Sequence, residues 1–346
     1  MSSPPHEIRV KFLTKNSAAD VWPGWSCFLP RENPRVGACR FLFHRDERDY
    51  DWLVVYDDLP AAANERFSHW VEPLACPRER TLLITTEPSS IKIYGRGFLR
   101  QFGRVLTSQE PWAIRHPHAI YRQAGLIRFY EGRHDDIVSN PPLDKTALFS
   151  TVCSSKRQRH TLHNDRFTFT QRLNAAMPEL EIFGHGVRPI ARKNDALNPF
   201  RYHLAIENHV APHHWTEKLT DAFIGNCLCF YHGAPDAANY FPPESFIPIN
   251  IHRFDEALGL IRAAIAGNEY EKRLPAIREA RALALGRWAT FPQLAEIIED
   301  LHPKTVSAPD VGATILSRHA WRASSPLNAL SFACEKLAAR LRHALS

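Results

Sequence analysis

Glycine is scarce in this chain of 346 residues, with 15 against 26 prolines, and neither GxGxxG nor GxxxxGKS/T occurs. A nucleotide held by this protein would therefore rest on side chains and helix N-termini rather than on a glycine loop. The nearest string, Gly95-Arg96-Gly97, lacks a third glycine at the right offset and reads as a turn. Long apolar runs are absent too. Nowhere do about 18 apolar residues follow one another, and the opening MSSPPHEIRVKFLTK has no apolar core of a signal peptide, so neither a membrane span nor secretion is expected and a cytoplasmic placement is. The seven cysteines are an odd, scattered set. Only Cys227 and Cys229 are close, and their alternation places both thiols on one face of a strand; with no second Cys pair or neighbouring His pair to complete a zinc site, buried free thiols are expected.

What the chain does contain is ordinary globular material: 44% apolar and 23% charged residues, enough for a large core and, at this length, for two domains rather than one. The net charge of +6 suits a partner with phosphates or an anionic surface without demanding nucleic acid.

Short apolar runs alternate with helical patterns along the chain, the mark of doubly wound α/β architecture. Strands are expected at Trp52 to Tyr56, Leu82 to Thr86, Arg104 to Thr107, Ala147 to Cys153, Leu180 to Phe183, Tyr202 to Ile206 and Cys227 to Tyr231. Helices are expected between them at Ala61 to Phe67, Phe167 to Met177 and Thr216 to Ile224. The polar stretch from Gly132 to Lys145, with Pro141-Pro142, reads as the linker. This gives an N-terminal Rossmann-like domain over 1–140 and a second over 141–320. A C-terminal amphipathic helix follows over 321–346. In its last stretch, Pro326 to Leu345, one stripe carries Leu327, Leu330, Cys334, Leu337, Leu341 and Leu345, with Lys336, Arg340 and Arg342 largely off it. Packing against the core is the first expectation, and peripheral contact with an anionic inner membrane the alternative.

The most informative stretch runs from Tyr202 to Asn250. Glu207 and Asn208 follow an apolar strand at once, at the end where open α/β sheets bind ligands. Thr216 is suited to cap the next helix, with Glu217 and Lys218 in its first turn. A cation is locally unfavourable there, and an adjacent phosphate would answer it; Glu217 suits a ribose diol. Asp49-Tyr50-Asp51 matches a metal-binding D-x-D but precedes a strand, and Asp57-Asp58 ends that strand. Neither outweighs the cationic set, and His213 with His214 lacks a third ligand at fixed spacing.

These motifs together resemble the donor-binding signature of glycosyltransferase family 10, the α-1,3/1,4-fucosyltransferases, and the chain is similar to a bacterial member. The matching elements are Ile206-Glu207-Asn208, Thr216-Glu217-Lys218, Gly233-Ala234-Pro235 and the segment from Asn239 to Ile247. Upstream, Arg166, Phe169 and Leu173 fit the helix whose arginine contacts the donor diphosphate in that family, with Arg157, Arg159 and Arg172 as alternatives. The run Lys156-Arg157-Gln158-Arg159-His160 adds positive charge nearby. In the first half, Glu87-Pro88-Ser89-Ser90 resembles the turn that supplies the family's general base. The chain departs from the pattern at His214, where the family has a tyrosine near the nucleoside; His214 or Trp215 would stack there instead.

The resemblance implies a GT-B fold, two Rossmann-like domains facing across a cleft. It further implies inverting, metal-independent transfer of a sugar, L-fucose from GDP-fucose, to a glycan hydroxyl such as one on lipopolysaccharide. No cofactor beyond the GDP-sugar is expected. Glu87 would be the base and Arg166 and Lys218 the stabilisers of the leaving diphosphate. Glu207 and Asn208 would orient the sugar or stabilise the developing oxocarbenium charge, Glu207 as a catalytic residue beside Glu87, and Glu217 would hold the ribose. Two other readings stay open: the same fold with GDP-mannose, and a non-catalytic anion- or nucleic-acid-binding protein on a degenerate transferase scaffold. Basic residues spread over both halves, and the lack of an RNA-module signature, count against nucleic acid.

Overall fold

The computed structural model describes residues 7–15, 24–31, 34–62, 64–125, 127–154, 162–305, 308 and 312–345. The run 156–160, and with it Arg157 and Arg159, lies outside them. The chain divides into two compact units, one formed by 1–125 with 290–346 and the other by 126–289.

The first unit begins with β1 (Ile8–Thr14), β2 (Arg35–Val36), β3 (Cys39–Leu42), β4 (Trp52–Tyr56), β5 (Val71–Pro73), β6 (Thr81–Ile84), β7 (Arg104–Thr107) and β8 (Ala119–Tyr121). Its main sheet runs β2-β3-β1-β4-β6-β7-β8, parallel throughout except for the β2/β3 pair. All five residues of central β4 are buried, which is why WLVVY is a continuous apolar run rather than an alternating one. Strand β1 was not among the expected strands, because Lys11 interrupts it. Lys11 is nevertheless buried, its ammonium 2.6 Å from the equally buried Glu72. The helix expected at Ala61 to Phe67 does not form: its described residues are irregular, turn or bend, and its one large apolar residue, Phe67, is exposed. Gly95-Arg96-Gly97 starts a short helix, α1 (Arg96–Leu99), rather than a plain turn. Gly95 precedes it at φ +85°, and a Cβ at Gly97 would collide with the Trp321 ring.

The second unit contains α2 (His134–Ser139), β9 (Ala147–Val152), α3 (His163–Ala176), β10 (Leu180–Phe183), β11 (Phe200–Ile206), α4 (Glu217–Ile224), β12 (Leu228–His232), β13 (Phe246–Pro248), α5 (Phe254–Ala266) and α6 (Glu269–Leu285). Its sheet, β10-β9-β11-β12-β13, is wholly parallel. Strand alternation builds two cores. Tyr202, Leu204, Ile206, Leu228 and Phe230 pack with α3 and α5, whereas Ala205, Cys229 and Tyr231 pack with α4 and α6. As expected, Cys227 and Cys229 are free thiols in one core.

The chain then returns to the first unit through α7 (Thr290–Leu301), β14 (Thr314–Leu316), α8 (Arg318–Ala323) and α9 (Pro326–Leu345). β14 pairs antiparallel with β5. These boundaries differ from the expected 140 and 320 for two reasons. The polar linker candidate contains α2, whose Ile137 is buried in the second unit and whose carbonyl accepts from Arg281. The α7 residue Phe291 packs on Phe12 and Phe41 of the first sheet, and Trp52 Nε1 donates to His302 Nδ1 at 3.1 Å. Helix α9 forms with the expected limits, but its leucine stripe does not pack on the core: Ala339 is its one buried residue.

Candidate functional site

The site of the second unit starts from strand geometry. Continuing the alternation of β11 turns Glu207 toward the α4 face, and its amide still donates to His232 O across the sheet. Glu207 is completely buried. One carboxylate oxygen accepts from the Thr216 amide at 2.8 Å, the other from Thr216 Oγ1 at 2.7 Å. Thr216 in turn caps α4 by accepting from Lys218 N at 3.3 Å. Glu207 thus holds the start of α4 in place, and burial leaves it no open face to offer a sugar. Gly233, of the G-x-P turn, is needed for this packing. A Cβ there would collide with Tyr231 and with Cγ of Glu207.

Lys218 folds back over this cap. Its Nζ lies 3.3 Å from Glu207 Oε2, 3.3 Å from Glu217 Oε1 and 3.2 Å from Thr216 Oγ1. The cation that looked misplaced at a helix N-terminus is therefore answered first by two carboxylates. Burial works against its ammonium, but Glu217 and Glu207 outweigh burial and raise its pKa; Arg166 opposes them. Burial pushes the Glu217 carboxyl up, yet Lys218 and Lys193 hold it down to about 2. For Glu207 burial wins over Lys218 and the carboxyl is raised.

Arg166 stands on α3 and is nearly buried. Its guanidinium donates to Asn208 Oδ1 at 2.9 Å, while its Nε is buried with no hydrogen-bond partner among the described residues. An unpaired charged donor of this kind is costly unless something accepts from it. The alternative Arg172 is occupied elsewhere, its guanidinium 4.0 Å from the centre of the Phe254 ring.

The two histidines before Trp215 diverge. His213, at φ +64°, has its amide bonded to Asp236 and its Nδ1 within 2.7 Å of both Tyr240 Oη and Asp236 Oδ2. His214 is buried and meets the edge of His209. Trp215 is buried against Tyr240 and Phe241, so it belongs to the core and offers no free face for a base. Among the described residues no group of three or more His, Cys, Asp or Glu side chains is placed to hold a metal. The D-x-D of the sequence clasps β1, with Asp51 accepting from the Arg9 amide at 2.8 Å.

Glu87 belongs to the first unit. It is exposed just beyond the C-terminal end of β6. Its carbonyl accepts from Gln109 Nε2 at 2.6 Å, and the same amide reaches Lys92 O at 2.9 Å, closing the turn between them. On the neighbouring strand end, Asp57 at φ +75° accepts from Tyr94 Oη at 2.6 Å and Thr86 Oγ1 at 3.0 Å and pairs with Lys92.

No family model matches the chain. Over 76 residues, 21% of this chain and 16% of the relative, it is 34% identical to the alpha-(1,3)-fucosyltransferase FucT of Helicobacter pylori. This chain resembles the α-1,3-fucosyltransferases. The identity covers only that small part of the relative's length. A solved α1,3-fucosyltransferase structure is matched with a TM-score of 0.49 at 14% identity, covering 90% of this chain and 94% of the other. Another, solved with GDP-fucose, is matched with a TM-score of 0.41 at 17% identity, covering 79% and 83%. The two α/β units with parallel sheets and the C-terminal helices agree with the GT-B expectation.

Sequence reasoning missed Lys193, Asp221 and Gln109. Lys193 Nζ lies 2.8 Å from buried Asp221 Oδ2 and 3.3 Å from the Glu217 carbonyl, bracing the first turn of α4 from below. A polar residue inside an apolar helix face was the only signal for Asp221. Nothing in the chain pointed to Lys193, 28 positions away.

Proposed function

We propose that this chain is an inverting glycosyltransferase that moves L-fucose from GDP-fucose onto a hydroxyl of a glycan such as lipopolysaccharide, without a metal. The observation that carries the reading is the pair of cations at the end of the second sheet. Lys218 is kept charged by two carboxylates, and Arg166 has a buried guanidinium nitrogen with no acceptor among the described residues. Both suit a leaving diphosphate, and the partial identity to a fucosyltransferase supports fucose as the sugar.

In the proposed step the acceptor oxygen attacks the anomeric carbon as the bond from that carbon to the diphosphate breaks. The acceptor proton passes to Glu87, and GDP leaves with its new charge held by Arg166 and Lys218. Asn208 orients the Arg166 guanidinium, and Glu217 accepts from the ribose. His214 lies beside the nucleoside. Glu207 takes the part of a positioning residue, acting through Thr216 and Lys218.

Calorimetry with GDP, UDP and CDP in the presence of a chelator tests the donor: GDP alone should bind, and equal or absent binding overturns the assignment. Glu87→Gln should spare GDP binding and abolish transfer, measured as GDP release in the presence of glycan. A fully active Glu87→Gln enzyme would move the base elsewhere.

A further inference from the structure

The loop after β4 and the short helix α8 meet at the end of the first sheet that carries Glu87, where the Arg318 amide donates to Asp58 Oδ1 at 3.0 Å. Phe67 of the loop is 46% exposed, and the His319 ring stacks on it at 5.1 Å with 6° between the planes. His69 meets His319 edge-on at 4.6 Å, and the Arg66 guanidinium lies 5.2 Å from the centre of the Phe67 ring. Arg318 and Arg322 complete the group. Arg322 Nε donates to the Arg318 carbonyl at 3.1 Å. One guanidinium nitrogen of Arg318 donates to the Ile93 carbonyl at 2.8 Å, while its Nε is buried with no partner among the described residues.

These cations have little acid to answer them. Arg66, Arg318 and Arg322 form no side-chain ion pair among the described residues. The acids nearby are engaged elsewhere. Asp57 pairs with Lys92, Asp58 is buried and accepts from the amides of Leu59 and Arg318, and Glu65 accepts from the Ala62 amide at 3.1 Å. Burial, His69 and Arg322 accordingly lower the His319 pKa against the pull of Asp58. Surplus cations beside an exposed ring suit a sugar that bears an acid: guanidinium groups match phosphate or carboxylate, and the ring offers apolar surface to the sugar's C–H groups. Hydrogen bonds tie the cluster to the proposed base. Gln109 Nε2 donates to the carbonyls of both Glu87 and Lys92, Lys92 pairs with Asp57, and Tyr94, whose ring lies 5.1 Å from the Arg318 guanidinium, donates to Asp57. A nucleic acid would ask for cations along a groove several nucleotides long, and this group is compact.

We infer that Arg66, Phe67, His69, Arg318, His319 and Arg322 form an acceptor subsite for a glycan whose accepting end carries a phosphate or a carboxylate. The inference rests on the proposed transfer with Glu87 as base. Ligand-observed NMR on the full chain, with glucose, glucose 6-phosphate, glucuronate and inorganic phosphate as probes, tests it. At least one charged sugar should bind about tenfold more tightly than both glucose and inorganic phosphate, and the tighter of the two identifies the acid. Arg322→Ala should bring that sugar's affinity down to the level of glucose. Arg66→Ala/His69→Ala should weaken it in the same direction with an unchanged unfolding temperature, since both side chains are exposed. Equal binding of charged and neutral sugars, inorganic phosphate binding as tightly as the charged sugars, or a preference that survives in both variants overturns the inference. So does tighter binding of an oligothymidylate than of either sugar. GDP calorimetry on the same samples separates the two readings: intact GDP binding without a charged-sugar preference removes this subsite alone, whereas the preference without GDP binding removes the donor assignment.

Discussion

Each unit ends a parallel strand with an acid and sets a lysine beside it, but the two pairs differ in kind. In the first unit Asp57 has one cation, Lys92. Burial, with Arg318 adding to it, outweighs the attraction of Asp57 and Asp58, and the Lys92 pKa is lowered. In the second unit Lys218 has two carboxylates, Glu207 and Glu217, and its pKa is raised. The difference teaches how a fold prepares a cation for an anionic ligand: at Lys218 two carboxylates at 3.3 Å keep the charge in place before the ligand arrives, while at Lys92 one contacting acid does not offset burial and the nearby Arg318. Lys92 is thus a structural partner of Asp57, with Tyr94 and Thr86 completing the set, and Lys218 is a cation in waiting.

The contrast can be broken by experiment. Lys92→Met should have the largest effect on stability, about 3 to 5 kcal/mol in denaturant unfolding, because it leaves Asp57 buried without its cation. GDP affinity per folded molecule should stay unchanged. Lys218→Ala should have the converse profile, weakening GDP binding by about 2 to 4 kcal/mol in calorimetry, with a smaller loss of stability. Equal losses of GDP affinity in the two variants would erase the distinction.

The carboxylate partner gives a pH signature. Glu217 is held down to about 2 from its ordinary 4.5. The stabilisation it confers is present above 4.5 and is lost as pH falls toward 2, amounting to about 1 to 3 kcal/mol. Glu217→Gln should flatten this part of the stability profile followed by circular dichroism. The smallest effect is expected from Thr216→Ala, about 1 kcal/mol for the lost cap, with Thr216→Ser restoring it.

Much of this arrangement was legible in the chain, and what was not has physical causes. Strands from Arg104 to Thr107 and from Leu180 to Phe183, and the helix from Pro326 to Leu345, form at the residues where their patterns begin and end. Strand β1 was hidden because its buried lysine finds an acid 61 positions away, a pairing that no local pattern reveals. The nine-residue separation of Glu207 and Thr216 brought both into one candidate site. That one would be sealed inside by the other depends on the path of the loop, to which periodicity is blind. Burial of the tryptophan between His214 and Thr216 was likewise decided by Tyr240 and Phe241 of a distant segment. The direction of the α9 stripe was ambiguous for a different reason: amphipathic spacing says that a helix has an apolar side, not which surface that side meets.

Of the seven cysteines, six are buried and only Cys334 is exposed, in the middle of the leucine stripe of α9. The protein therefore carries a natural attachment point for a fluorophore or spin label. A thiol-directed probe added to the folded, unmutated chain would mark that one surface and report its local polarity, so the last helix can be followed without altering any other residue.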